Sequence, residues 1–373
     1  MSVKSKNEEQ ESSKSASAKA PKSTGKDLTK VFAKLDKLNP ESKFLSESAL
    51  STVTEYHDTG CMVLNAILSG SLYGGVPKGR ITGFAGPSQA GKTYITNKIL
   101  AKAQADGLMP VIFDTEMAVD EAACKGVGLD PEGVKYVPVQ TVEDCRNQLV
   151  AFLDSVVEME MQGKFIICID SLGNLASQKE IDDVEKGKTA MDMGTRAKGL
   201  KSMMRTLTFK AAQANTTVLF VNHTYDDPGA MFPTLVKSQS GGKGPVYLAS
   251  VLVQLAKRDE KHDKTKSDDE MLPEANKYSG VTLRALTVKN RFVPPFLEGE
   301  MYLNFKTGLD QYSGLKEMAV NHGVIQQTGS TFVLPDGTKL GYYKNWSEDT
   351  KLWDETIIPQ LEEKLNAAFR YGS

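Results

Sequence analysis

Residues 86–93 read GPSQAGKT, the spacing G-x-x-x-x-G-K-[ST], directly after the apolar run ITGFA and before the helix-like run TYITNKILAKAQ. Strand, glycine loop and helix in that order form a phosphate cradle. Gly86 and Gly91 let the backbone curl past Pro87, so that the amides of Ser88, Gln89, Ala90 and Tyr94 face phosphate oxygens, and the helix adds its positive N-terminal end. Lys92 would reach the β- and γ-phosphates of a nucleoside triphosphate, and the Thr93 hydroxyl would bind Mg²⁺. A second acidic element follows the run FIICID. Asp170 lies at the carboxyl end of that predicted strand, where open parallel sheets bind ligands, and is the candidate carboxylate for Mg²⁺. A third element, VIFDTEMAVD, crowds Asp114, Glu116 and Asp120 at the end of another predicted strand. Hydrolysis needs one carboxylate to orient the attacking water. Residue type and spacing alone leave all three open.

Such groups need a scaffold, and the pattern supplies one. The predicted strands are 81–85, 110–114, 135–139, 165–170, 217–222, 250–255 and 281–289. The middle ones are short, β-branched and bounded by turn residues, as expected for strands buried on both faces. Helical spacing recurs at 142–157 (Val142, Cys145, Leu149, Phe152, Leu153, Val156) and at 197–214. This alternation predicts an α/β fold with a mostly parallel sheet covered on both sides.

The rest of the chain divides by composition. Residues 1–27 are Ser-, Lys-, Ala- and Glu-rich with few large apolar residues, and read as a disordered tail. Over 28–39, Val31, Phe32, Leu35 and Leu38 share one helical face that Pro40 terminates. That face packs on its own domain or on a neighbouring subunit, so 28–50 is a candidate oligomerisation arm. Residues 51–310 form the core. Residues 259–278, almost wholly polar, read as a solvated insertion. Residues 311–373 read as a small α+β unit with a turn at Asp336-Gly337 and a closing amphipathic helix.

Composition removes several function classes. The 373 residues are 40% hydrophobic and 25% charged, with a formal net charge of −2, so any nucleic-acid binding must come from local loops. No apolar run is long enough to span a bilayer, and the N-terminus lacks a secretory core. Four separated cysteines without nearby histidines argue against a zinc site or disulfide framework and point to a reducing cytoplasm.

Three longer stretches carry a resemblance. TGCMVLNAILSGSLYGGVPKGRITGFAGPSQAGKT, with its GGxPxGR turn at 74–80, resembles the entry to the phosphate loop in the RecA-type strand-exchange recombinases. IDSLGNLASQKE and VNHTYDDPGAMF are similar to segments of the phage, UvsX-type branch. The likeness spans about residues 50–320. It implies a RecA-like ATPase core and settles the carboxylates: Glu116 matches the catalytic one and Asp120 an adenine-contacting one. Ala123 replaces the aromatic that stacks on adenine in bacterial members, and Phe305 would cover the base from the other side, as an aromatic nearby does in the family. His223 stands where the family often has a Gln touching the γ-phosphate. Lys289 and Arg291 match paired cations that reach a neighbour's ATP, and alternation on a strand would put both on one face.

The resemblance further implies two DNA loops, at about 178–196 and 224–244. The DNA-facing residues carried over are Met193, Gly194, Lys198, Lys201, Arg205, Met231, Phe232, Ser240, Gly241, Gly242 and Lys243. A solvated helix face is the alternative for the lysines, and a latch onto the protein itself for Met231-Phe232. The expected activity is ATP- and Mg²⁺-dependent filament formation on single-stranded DNA with strand exchange into double-stranded DNA. The expected partners are a single-stranded-DNA-binding protein and a recombination mediator, in the cytoplasm of a bacterial host if phage-encoded. The alternatives are a hexameric helicase of the same fold and a weakly hydrolysing mediator or paralogue.

Overall fold

A computed structural model describes residues 25–48, 50–188, 194–225, 235–261 and 278–369. The chain divides into a unit ending at Thr52 and a unit beginning at Val53. In the first, α1 (Gly25–Leu38) takes the predicted helix and ends before Pro40. Its stripe of Leu28, Val31, Phe32, Leu35 and Leu38 is exposed. Phe32 meets Phe44 edge-on, with ring centroids 5.7 Å apart.

The second unit opens with β1 (Tyr56–His57) paired antiparallel to β2 (Val76–Pro77), with α2 (Met62–Ser69) between them in sequence. The central sheet holds β3 (Ile81–Gly86), β4 (Met109–Asp114), β5 (Lys135–Pro138), β6 (Phe165–Asp170), β7 (Thr217–Tyr225), β8 (Ser238–Gln239), β9 (Val251–Lys261), β10 (Tyr278–Asn290), β11 (Glu298–Asn304) and β12 (Gly308–Leu309). Its order is β12-β11-β10-β9-β3-β7-β6-β4-β5, with β8 on β7. The stretch from β9 to β5 is parallel, and β10, β11 and β12 add antiparallel.

Alternation along the central strands feeds two apolar layers. Ile166, Cys168 and Leu219 join one cluster with Ile95, Ile99 and Leu100 of α3 (Lys92–Ala105). Ile167, Ile169, Val218 and Phe220 join the other, with Leu149 and Leu153 of α5 (Val142–Glu158) and Met203, Met204 and Leu207 of α7 (Thr195–Gln213). Short helices α4 (Glu121–Gly126), α6 (Gln178–Glu185) and α8 (Lys243–Leu248) lie at strand ends and loop margins. The fold is the predicted helix–sheet–helix layering, since strands buried on both faces must be apolar on both.

After residue 310 come α9 (Leu315–Asn321) and the antiparallel β13 (Gln326–Thr328), β14 (Thr331–Val333) and β15 (Lys339–Tyr342), then helical chain through 350–368. Asp336-Gly337 forms the β14–β15 turn, with Gly337 at φ +91° and Asp336 accepting from the Thr338 amide at 2.9 Å. Phe332, Trp346 and Trp353 belong to the same apolar cluster as α3.

The structure departs from the sequence reading in several places. Residues 178–185, expected as loop, are helix α6, because Ser177 caps it by accepting from the Glu180 amide. Strands β11 and β12 were not foreseen. β10 ends at Asn290 after a register shift at Thr287/Lys289, so Arg291 lies beyond the strand and alternation does not place it beside Lys289. Residues 25–27 of the tail expected over 1–27 belong to α1, and 259–261 and Tyr278 of the expected polar insertion extend β9 and β10; residues 1–24 and 262–277 lie outside the described residues. All four cysteines are unpaired and buried, and no described helix is long and apolar enough to cross a membrane.

Candidate functional site

Four strand ends converge. Gly86 registers with His223 on the neighbouring strand, and Asp114 with Asp170. Since β3, β7, β6 and β4 are adjacent and parallel, their carboxyl ends share one edge of the sheet. The phosphate loop leaves β3 there. Gly91 caps α3 at φ +79°, a left-handed conformation that favours glycine. A Cβ on Gly86 would sit 2.6 Å from the Leu255 carbonyl, so only glycine fits against β9.

Lys92 is buried, and its amine donates to the Pro87 carbonyl across the loop at 2.7 Å. Burial pushes its pKa down, and Asp170 and Glu116 push back. Thr93 donates its hydroxyl to Asp170 Oδ2 at 2.7 Å. Asp170 is buried as well, and its pKa rises to about 6, chiefly by desolvation, against the lowering effect of the Thr93 bond. A raised carboxylate pKa beside a hydroxyl marks a pair that gains from a cation. No described cluster holds three metal-ligating carboxylate, His or Cys side chains. One hydroxyl and one carboxylate suit Mg²⁺, which characteristically takes one or two carboxylates and completes its shell with phosphates and water.

The three open carboxylates separate by their partners. Asp114 is buried and accepts from the amides of Glu116, Met117, Ala118 and Val119 at 2.8 to 3.2 Å. Asp120 caps α4 through the Ala123 amide at 2.9 Å. Glu116 alone turns back toward the sheet edge. It accepts from the Ser171 hydroxyl at 2.7 Å and lies 3.5 Å from His223 Nε2. Thr115 locks this arrangement. Its hydroxyl donates to the Ser171 carbonyl and accepts from the Ser171 amide, both at 2.9 Å. Sequence reasoning missed Ser171 and Thr115; the only signal was that each directly follows a strand-terminal aspartate.

Asn222, also missed, is a polar residue fully buried within β7. It accepts from the His223 amide and donates to Gln239 and to the Ser240 carbonyl. The His223 carbonyl in turn accepts from the Ser240 amide at 3.1 Å.

Tyr94 points away from the phosphate loop toward the β11–β12 hairpin, where its hydroxyl accepts from the Leu309 amide at 3.0 Å. Phe305, exposed, sits on that hairpin. Lys289 does not extend outward. Its amine is held by the carbonyls of Val246, at 3.1 Å, and Tyr247, at the end of α8. Burial and the nearby Arg291 lower its pKa to about 8. Arg291 itself is exposed.

Beside this edge lie α7 and α8. Lys198, Lys201 and Arg205 are exposed on α7, opposite its buried Leu200, Met203, Met204 and Leu207. A Cβ on Gly244 would lie 3.0 Å from Lys201 Cβ, so α8 approaches α7 closely there. That contact brings Ser240, Gly241, Gly242 and Lys243 to the N-terminal half of α7. Gly241 and Gly242 both have positive φ. Gly194, at φ +113°, caps α7. Met193, Met231 and Phe232 lie outside the described residues.

The family model of the RecA N-terminal domain matches residues 28–310. The chain is 31% identical over 300 residues to the recombination and repair protein of Enterobacteria phage T4, covering 79% of this chain and 70% of that one. It is 25% identical over 350 residues to the RecA protein of Mycobacterium sp. (strain KMS), covering 90% and 94%. A RecA protein of Frankia casuarinae is 28% identical over 307 residues, 82% of each chain. A match running from α1 to the β11–β12 hairpin takes in the whole nucleotide edge and the helices beside it, and the chain belongs to the RecA family.

Proposed function

We propose that this chain is an ATP-dependent DNA recombinase that assembles as a helical filament on single-stranded DNA and pairs it with a homologous duplex. One observation carries the reading. The carboxylate Glu116, which faces the phosphate loop, also faces His223, and the His223 backbone is bonded to Ser240 of the second candidate DNA loop. The candidate nucleotide and DNA elements are thereby close neighbours.

In this reading the backbone amides of the 86–94 loop, Pro87 apart, and Lys92 bind the triphosphate, and Thr93 and Asp170 hold Mg²⁺. The ion would neutralise charge on the phosphates. Lys92 exchanges its Pro87 carbonyl for phosphate oxygens. Glu116, held by Ser171 and by the Asp114 turn, orients and accepts a proton from the attacking water. His223 senses the γ-phosphate. Asp120 and Phe305 flank the base, with Tyr94 bracing the Phe305 hairpin. Arg291, and Lys289 once released from α8, complete the site of a neighbouring subunit.

Lys198, Lys201, Arg205 and Lys243 supply cations to the DNA backbone, and Gly241-Gly242 supply amides, a sequence-tolerant mode. A few contacts per subunit, repeated along a filament, give tight and salt-sensitive binding despite the net charge of −2. The exposed stripe of α1 supports the oligomerisation arm at 28–50, since apolar faces of this kind are buried in assemblies. A single-stranded-DNA-binding protein and a mediator are the proposed partners.

The test is to image the protein on single-stranded DNA with a slowly hydrolysed ATP analogue and Mg²⁺. Open helical filaments are expected. Closed rings would transfer the chain to the helicase class, and isolated protomers would overturn the reading.

A further inference from the structure

We propose that Arg196 is the positioning residue that couples the nucleotide carboxylates to both DNA loops. The inference rests on the recombinase reading and adds to it a residue with no assigned role. Arg196 opens α7, at the margin of the first loop. Its guanidinium donates from Nε to the Leu175 carbonyl at 2.6 Å, and from Nη2 to the carbonyls of Leu172, at 3.2 Å, and Gly173. Nη2 also donates to Ser240 Oγ at 3.2 Å. One half-buried side chain therefore binds the segment that follows Asp170-Ser171 and reaches the second loop.

These contacts close a ring. Glu116 is bonded to Ser171, and Ser171 precedes the turn that Arg196 grips. Arg196 binds Ser240, Ser240 binds the end of β7 through His223 and Asn222, and His223 Nε2 returns to within 3.5 Å of Glu116. Gly173 lies inside the ring. A Cβ there would stand 3.1 Å from His223 Cδ2, so the gripped turn packs directly on the imidazole. A shift of Glu116 or His223 is transmitted to Arg196 through both arms of the ring, and from Arg196 to the start of α7 and to Ser240.

The chemistry suits arginine. Its planar fork presents five donors in fixed directions, so Nε holds the Leu175 carbonyl while Nη2 serves the 172–173 turn and Ser240, whereas a lysine ends in one ammonium with no second nitrogen to keep the Nε bond. The partners here are carbonyls and a hydroxyl, so the contact is directional bonding rather than charge pairing. Two simpler roles give different results: capping the turn at Leu172–Asn174 affects stability alone, and touching DNA phosphate affects affinity in every nucleotide state equally.

The experiment measures the affinity of the full chain for a fluorescent oligothymidylate with Mg²⁺ and either ADP or a slowly hydrolysed ATP analogue, for wild type, Arg196→Lys, Arg196→Ala and Ser240→Ala. Coupling energies of this class correspond to affinity ratios of about fivefold or more. Wild type is expected to bind more tightly with the analogue by at least about that ratio; equal affinities would overturn the recombinase reading and the inference with it. Both Arg196 variants are expected to lower the ratio at least about fivefold, with Ser240→Ala intermediate. A wild-type ratio in Arg196→Lys, whatever its absolute affinity, overturns the inference while leaving the recombinase reading intact. If Arg196→Ala melts too early to assay, the Lys and Ser240 variants decide the matter.

Discussion

The Ser171 hydroxyl donates to Glu116 Oε1 at 2.7 Å. Glu116 is a third exposed, and without this bond its side chain would sample several rotamers. Replacing Ser171 with Ala leaves the nucleotide-binding groups in place and frees the carboxylate. The expected outcome is a loss of about tenfold in kcat for DNA-stimulated ATP hydrolysis with KM for ATP changed less than about threefold, since positioning acts in the transition state. Steady-state kinetics check it. A KM effect without a kcat effect would place Ser171 in ground-state binding instead.

Lys92 reaches Pro87 from the buried side of the loop, and its charge is already disfavoured by burial. A buried cation of this kind is stabilised when phosphate arrives. Lys92→Ala is therefore expected to abolish hydrolysis, which a phosphate-release assay measures. A rate within about twofold of wild type would remove the phosphate-loop assignment, because charge stabilisation of phosphoryl transfer contributes far more than that.

The phosphate loop and the strand-end aspartates could be read from sequence because local rules fix them: glycine spacing, strand before and helix after, and period-two burial. The choice among Asp114, Glu116 and Asp120 could not be made from residue types alone, because it depends on which backbone amides each carboxylate meets after folding. Asp114 is spent on four amides and Asp120 on a helix cap. The edge strands β11 and β12 were missed for a similar reason. β11 follows the Pro294-Pro295 turn and is fixed only by its tertiary register with β10, and β12 has two residues and pairs only with β11. Arg196 carried no local signal at all, since its four acceptors come from segments more than twenty residues away.

Arg291 is exposed beyond β10, while Lys289 is folded back onto α8. The two cations are thus not equivalent in the protomer. Arg291→Ala is expected to leave ATP binding within about threefold of wild type and to remove the stimulation of hydrolysis by DNA, as loss of a cation acting across subunits does. Nucleotide titration and ATPase assays with and without single-stranded DNA test this. Normal stimulation in the variant would rule out action on a neighbour's ATP.

The arm makes a prediction about assembly. Leu28, Val31, Phe32, Leu35 and Leu38 expose an apolar stripe on α1. Removing residues 1–40 is expected to shift the protein to monomer in sedimentation at micromolar concentration while leaving its melting temperature within a few degrees, because the Val53–Ser373 unit carries both apolar clusters. An unchanged distribution of oligomers would place the subunit contact elsewhere.

His57 makes the fold sensitive to acid. Its Nε2 lies 2.9 Å from Thr217 Oγ1, which also accepts from the Gly79 amide at 3.1 Å. Nδ1 is buried without a partner among the described residues. Burial, reinforced by Lys78, lowers the His57 pKa from 6.5 to about 4. The folded state thus keeps the ring neutral where the unfolded chain binds a proton. The stabilisation is complete above pH 6.5 and is lost as pH falls toward 4. One pKa unit is worth about 1.4 kcal/mol, so this residue alone should remove about 2 kcal/mol between pH 8 and pH 5. Urea unfolding at the two pH values, for wild type and His57→Gln, isolates the effect. The variant starts less stable at pH 8 but should lose about 2 kcal/mol less on acidification. Equal losses in the two proteins would show that His57 does not set the acid limit.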